Sequence, residues 1–240
     1  MALALVFPAL QVVADDQIIK KDGTVLTGQI LGVDNGQVTV ISHASNGSAV
    51  KLPYYLSDIQ TVKMATPDAA TKLSDANPAT VMVTLEPLVK QYAGLPADWV
   101  VQAMVQLADS YAAQNQLDRA QAMYTQIDTL YPGSNYHFQA VAGLAGLSLK
   151  QGKIDVALAA VQPVIDQANK DIAPSATEGG LYANAFLVYG QALEAQKKNE
   201  QALEAYLTVK TMFYQNTACA AQADALAKKL RDANPGLGVE

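Results

Sequence analysis

The chain has 240 residues, half of them hydrophobic, and a formal net charge of −6. That much apolar material fills one large domain or two smaller ones. An acidic chain with no basic cluster argues against a nucleic-acid partner, the single cysteine, Cys219, rules out an internal disulfide, and no apolar run reaches the roughly 18 residues of a membrane-spanning helix.

Residues 1–14, MALALVFPALQVVA, are apolar and uncharged, and polar DDQ follows at once. Val12 and Ala14 stand third and first before a plausible cleavage point, where small residues are expected, so the segment reads as the back half of a secretory signal peptide. No Lys or Arg precedes the run, and a start codon assigned too far downstream explains that gap. The alternative is a first strand or a short buried helix. The signal-peptide reading places the protein in the periplasm or outside the cell. With no cysteine near Ala14, a lipid anchor there is not expected.

Over 15–64, β-branched residues alternate with polar ones between closely spaced turn signals. QIIK, TVLTGQILGV, QVTVISH, AVKLP and DIQTVKM read as five strands. Asp22-Gly23 and Asn35-Gly36 are two-residue hairpin signals. Leu26, Ile30, Val38 and Val40 are expected to face the core, and Gly28 and Gly32 to allow a strand to bend sharply. The prediction is a small antiparallel β-barrel, or a strongly curved sheet. The opening with Asp22, Gly23 and Gly28 resembles the Sm-like and SH3-like small barrels over about 50 residues, although the later Arg-Gly signature of the Sm pattern is missing. The module has few basic residues, so the RNA binding of Sm proteins is not carried over. Docking to protein is expected instead.

Residues 65–78, within ATPDAATKLSDANPAT, read as a linker. From 79 to 240 the pattern is helical. ATVMVTLEPLVKQYAGL (79–95) is expected as a capping helix ended by Pro96, with Trp99 packing on it. Three helix-turn-helix units then start at Val101, Phe138 and Ala183. Their fourth, seventh, eighth and eleventh positions are Met104, Leu107, Ala108 and Tyr111; Val141, Leu144, Ala145 and Ser148; Phe186, Tyr189, Gly190 and Leu193. Their twentieth, twenty-fourth and twenty-seventh are Ala120, Tyr124 and Ile127; Ala157, Val161 and Val164; Ala202, Tyr206 and Val209. Small residues at the eighth and twentieth places let the two helices of a unit approach closely. Pro132 ends the first unit, while Asn169 and Tyr214 stand at that place in the others, and Pro163 is expected to kink or shorten its helix. The alanine intervals are 157 − 120 = 37 and 202 − 157 = 45, with the extra residues assigned to the connections GSNYH and NKDIAPSATEGG. CAAQADALAKKLRDANPG (219–236) is expected as a closing amphipathic helix, with Cys219 buried.

This pattern resembles the tetratricopeptide repeat (TPR). The resemblance implies an α+β chain in which a superhelix of about three repeats plus capping helices follows the small barrel. It also implies a concave face, lined by the first helix of each unit, that holds other proteins. The lining positions would be Gln102, Val105, Asp109, Ala112 and Ala113, then Gln139, Ala142, Gly146, Leu149 and Lys150, then Asn184, Leu187, Gln191, Glu194 and Ala195. The Lys/Asn carboxylate clamp of some chaperone-binding members is missing. A small, apolar and amide-bearing lining suits an extended segment or a partner helix. The alternative is that these positions pack against the chain's own 169–180 connection.

No catalytic, metal or cofactor site is expected. His43 and His137 lie in different modules without flanking ligands. GLSLKQGK (146–153) fails the phosphate-loop spacing and reads as the turn between two repeat helices. No Gly-x-Ser-x-Gly motif is present, and the sequon Asn46-Gly47-Ser48 reads as a hairpin turn. LYPGSNYHFQAVAGLAGLSLKQGK (130–153) is similar to the Tyr-Pro-x-Ser-x-Tyr stretch of bacterial envelope TPR proteins. That resemblance implies a non-enzymatic adaptor working with a Tol/TonB-type complex or with outer-membrane assembly machinery. The rivals are a self-associating subunit of a cell-surface assembly or filament and a cell-wall-active enzyme, the latter needing a polar cluster that the sequence does not show.

Overall fold

Alternating β-branched and polar residues build the first unit as five antiparallel strands. These are β1 (Asp16–Lys20), β2 (Val25–Asp34), β3 (Gln37–His43), β4 (Ala49–Tyr55) and β5 (Ile59–Lys63), in the order β4-β3-β2-β1-β5. The structure, a computed structural model, describes residues 15–43, 48–73, 75–132, 134 and 136–238. The signal-like segment 1–14, the Asn46-Gly47 part of the sequon and the His43 side chain lie outside the described residues.

Asn35 and Gly36, at φ 48° and 74°, make the two-residue turn between β2 and β3, a left-handed geometry that matches strand twist. The Asp22-Gly23 turn is wider than expected. Residues 21–24 join β1 to β2 because the Asp22 carboxylate accepts the Thr24 N–H at 2.9 Å and holds a longer loop. Ile18, Ile30, Val38, Val40, Ile59 and Val62 form the buried face, while Leu26 is only half-buried. Gly28 marks a close approach of β2 to β3, where a Cβ would collide with the Ile41 carbonyl. A bulge between Ile30 and Gly32 shifts the register of the same pair and so bends the strand.

The expected closed barrel does not form. β4 and β5 end the order as separate edges. Val50 and Leu52, which closure would bury, remain 43% and 38% exposed, and Pro53 has no N–H to offer a further strand. Along β5, the Val62 N–H instead donates to the Pro96 carbonyl at 3.0 Å. The segment Gly94–Ala97 thus belongs to this unit, which otherwise holds the described residues up to Pro67.

The second unit, Asp68–Ala93 with the described residues from Asp98 onward, is helical. It comprises α1 (Asp68–Thr71), α2 (Pro78–Tyr92), α3 (Asp98–Ala113), α4 (Leu117–Leu130), α5 (Tyr136–Lys150), α6 (Ile154–Ala168), α7 (Ala176–Ala195), α8 (Asn199–Met212) and α9 (Thr217–Ala233). The stretch read as a linker holds α1 and the buried Leu73, whose carbonyl accepts the Gln106 amide at 3.4 Å. Asn77 caps α2 by accepting the Thr80 N–H at 3.0 Å. Trp99 meets Tyr92 of α2 edge-on at 5.4 Å between ring centroids.

Three helix pairs, α3–α4, α5–α6 and α7–α8, repeat one turn. Asn115, Gly152 and Lys197 all sit in the left-handed region, at φ 57°, 74° and 62°, each five residues before its unit's alanine at 120, 157 or 202. The next N–H reaches back in the same way each time: Gln116 to the Tyr111 carbonyl, Lys153 to Ser148 and Lys198 to Leu193, at 2.8, 2.9 and 2.9 Å. This is the helix-ending bond pattern that satisfies orphan carbonyls. Ala108, Ala120, Ala145, Ala157 and Ala202 are fully buried. At Gly190 a Cβ would lie 2.6 Å from the Tyr206 ring. The helical unit is therefore TPR-like in its pairing and its small-residue contacts.

Two local details differ from the reading. α6 runs through Pro163 to Ala168 and is not shortened by it, with the proline on the exposed side. Residues 176–180, assigned to a connection, are the first turns of α7. There Ser175 accepts the Glu178 N–H and Glu178 accepts the Ser175 N–H, a capping box that starts the helix early.

Candidate functional site

Positions two, five, nine, twelve and thirteen of the first helix in each unit fall on one stripe of a 3.6-residue helix. Helices α3 and α5, and α5 and α7, pack side by side, so their stripes join into one concave wall. A cavity of about 550 Å³ opens on it. From α3 come Val105, Asp109, Ala112 and Ala113; from α5, Gln139, Ala142, Gly146, Leu149 and Lys150; from α7, Asn184, Leu187 and Gln191. None of residues 169–180 lines the cavity, so the groove is not filled by that connection.

Three expected residues are not part of it. Gln102, on the first turn of α3, is exposed but outside the cavity. Glu194 accepts the Tyr206 hydroxyl at 2.7 Å and so ties α7 to α8. Ala195 is exposed at the end of α7. The lining also includes residues that the repeat positions do not select, among them Tyr124 of α4, Gly143 of α5, Val188 of α7 and Gln222 of α9.

Tyr124 builds the floor. Its ring takes the space that a side chain at Gly143 would need, since a Cβ there would clash with the nearest ring carbons, and its hydroxyl donates to the Asp109 carboxylate. Asp109 is exposed on the groove side, yet the protein packed around it partly desolvates the carboxylate and pushes its pKa up, while the Tyr124 bond and the Lys150 charge pull it back. Burial, and then the neighbouring carboxylate, also raise the Tyr124 pKa, so this phenol stays protonated. Lys150 donates to the Ala112 carbonyl at 3.2 Å, and among the described residues Asp109 has no ion-pair partner within 4.0 Å.

The amides divide into two groups. Asn184 is used internally: its Nδ2 donates to the Gly180 carbonyl at 3.3 Å, and its Oδ1 accepts the Cys219 thiol at 3.0 Å. Burial, assisted by the charge on Asp109, pushes the Cys219 pKa up to about 11, so the thiol stays neutral and is a poor nucleophile. The side-chain amides of Gln139, Gln191 and Gln222 form no hydrogen bond to other described residues, and all three residues line the cavity. His137 pairs with Asp128 at 2.6 Å beside a different hollow, between α5 and α6. The groove therefore carries hydrogen-bonding groups and one carboxylate, without a nucleophile and base set against each other.

No family model matches the chain, and no curated protein does. Among solved structures the chain is similar to "MamA 41-end from Desulfovibrio magneticus RS-1", with a TM-score of 0.42 and 16% identity over 72% of this chain and 100% of that one. It is also similar to "MamA RS-1 ArsTM double mutant", with a TM-score of 0.41 and 18% identity over 72% of this chain and 99% of that one. Both likenesses are distant.

Proposed function

We propose that this chain is a non-enzymatic protein-interaction scaffold of the bacterial cell envelope, whose groove holds an extended segment of another protein. The observation that carries the reading is a cavity walled by Ala112, Ala113, Ala142 and Gly146 and lined also by Gln139, Gln191 and Gln222, whose amides are without partners among the described residues. Small walls leave room for a backbone. An extended segment has free N–H and C=O groups for such amides, whereas a helix has already paired its own. The envelope part is supported by the signal-like residues 1–14 and by the likeness of 130–153 to envelope TPR proteins, which suits a Tol/TonB-type or outer-membrane assembly system.

The test is photo-crosslinking in cells from Gln191 or Gln102, followed by mass spectrometry and fractionation. Capture of a protein from Gln191 and not from Gln102, reduced by Gln139→Ala and found in the periplasmic fraction, is expected. Equal capture from both positions would remove the groove from the reading, and a cytoplasmic location would remove the envelope. A second reading, self-association, has one observation in its favour: the open β4 edge with Val50, Leu52 and Tyr55 exposed. A ladder of oligomers from purified protein would favour it over the scaffold.

A further inference from the structure

The charges around the groove are unequally committed. Asp109 of α3 and Lys150 of α5 are the charged side chains in its lining, while the contributions of α7 and α9 are apolar or amide. Lys150 is engaged at the Ala112 carbonyl, on the last turn of α3. Asp109 lies on the groove wall and is exposed, with one carboxylate oxygen receiving the Tyr124 hydroxyl and no donor on the other among the described residues. Water hydrates that second oxygen as long as the groove is empty. An occupant that fills the groove drives this water out, and a carboxylate stripped of water without a compensating partner is unfavourable. The groove therefore favours occupants that bring their own donor to that point, and a cation compensates a desolvated carboxylate better than a neutral donor does. The net charge of −6 on the whole chain steers basic segments toward it.

Resting on the scaffold reading above, we propose that the segment held in the groove is an extended stretch carrying a lysine or arginine whose charged head meets Asp109. The flanking side chains of that segment are small or apolar, to fit against Val105, Ala142 and Leu187, and its backbone is read by Gln139 and Gln191. Tyr124 acts as a positioning residue, because its hydroxyl fixes the carboxylate rotamer from below.

The test is to pan a display library of short random peptides on the full chain, on Asp109→Asn and on Gly146→Trp. Asn is close to Asp in shape and still accepts the Tyr124 hydroxyl. A Cβ at Gly146 meets only Val188, at 3.8 Å, so the position admits a side chain, and Trp there extends into the groove that Gly146 lines; circular dichroism checks that both variants fold. The expected result is enrichment of a lysine or arginine at one position on the wild type and loss of that enrichment on Asp109→Asn. An enriched peptide should bind Asp109→Asn about tenfold more weakly, the scale of one hydrogen bond to a charged group. Peptides that need an open groove, being lost on Gly146→Trp, but show no basic preference or bind Asp109→Asn unchanged, would overturn the inference and leave the groove reading standing; a preference for serine or threonine belongs to this outcome. No groove-dependent peptide at all would overturn both.

Discussion

Two glycines three residues apart on α5 should respond to alanine in opposite directions. In a helix interior, glycine to alanine is worth about 1 kcal/mol of stability when the new methyl meets open space. Gly146 has that space, its nearest neighbour being Val188 at 3.8 Å, so Gly146→Ala should gain up to about 1 kcal/mol. At Gly143 the methyl would clash with the nearest carbons of the Tyr124 ring. That ring is buried and tethered through its hydroxyl to Asp109, so it cannot swing away freely. Overpacking of this kind costs about 1–3 kcal/mol, and displacing the hydroxyl costs about 1.5 kcal/mol more, the low end for a charged acceptor because Asp109 keeps some solvent. After the propensity gain, the net loss for Gly143→Ala is about 1.5–3.5 kcal/mol. For a chain of this size, thermal melts followed by far-UV circular dichroism should show Gly143→Ala roughly 3–14 °C below wild type and Gly146→Ala about 2–4 °C above it. Equal melting temperatures for the two variants would refute the assigned contact between Tyr124 and α5.

Three further outcomes follow from the same geometry. Lys197 holds a left-handed φ of 62° without being glycine, so Lys197→Gly should stabilise the helical unit by up to about 1 kcal/mol in urea titration. Ala202→Trp, at a fully buried contact between α7 and α8, should unfold that hairpin and reduce the helical signal. Partial desolvation makes the folded chain hold the Asp109 proton more tightly than the unfolded chain does, so the energetic cost of this carboxylate accrues as pH rises through and above the ordinary carboxylate range. Urea midpoints should therefore favour Asp109→Asn over wild type at neutral pH, with the difference shrinking on acidification. An Asn advantage that grows as pH falls would contradict the assigned shift.

The strands were legible because alternation and the Asn35-Gly36 turn are local signals. Closure of the sheet was not, since it depends on whether Val50 and Leu52 find a strand far away in sequence. Pro96 read as a helix terminator, and nothing near it announces that its carbonyl takes the Val62 N–H. The groove positions came from the resemblance to the repeat rather than from spacing alone, and Glu194 departs from them because a stronger local claim, the Tyr206 hydroxyl, draws its carboxylate elsewhere. Tyr124 read as a packing residue of the repeat. Its second role needs both the reach of its hydroxyl to Asp109 and the missing side chain at Gly143, and the spacing rules do not join those two residues. The early start of α7 was readable: Ser175 and Glu178 stand three apart before an apolar run, as a capping box requires.

The three turns at Asn115, Gly152 and Lys197 share one shape although no two share a residue type. Their form is written in main-chain bonds, which any sequence able to tolerate a single left-handed residue can supply. Mutation can therefore erase the wording of a hairpin while its bend survives. A whole hairpin duplicated or lost between two such turns would rejoin without a mismatch, and the groove would grow or shrink in steps of one helix pair.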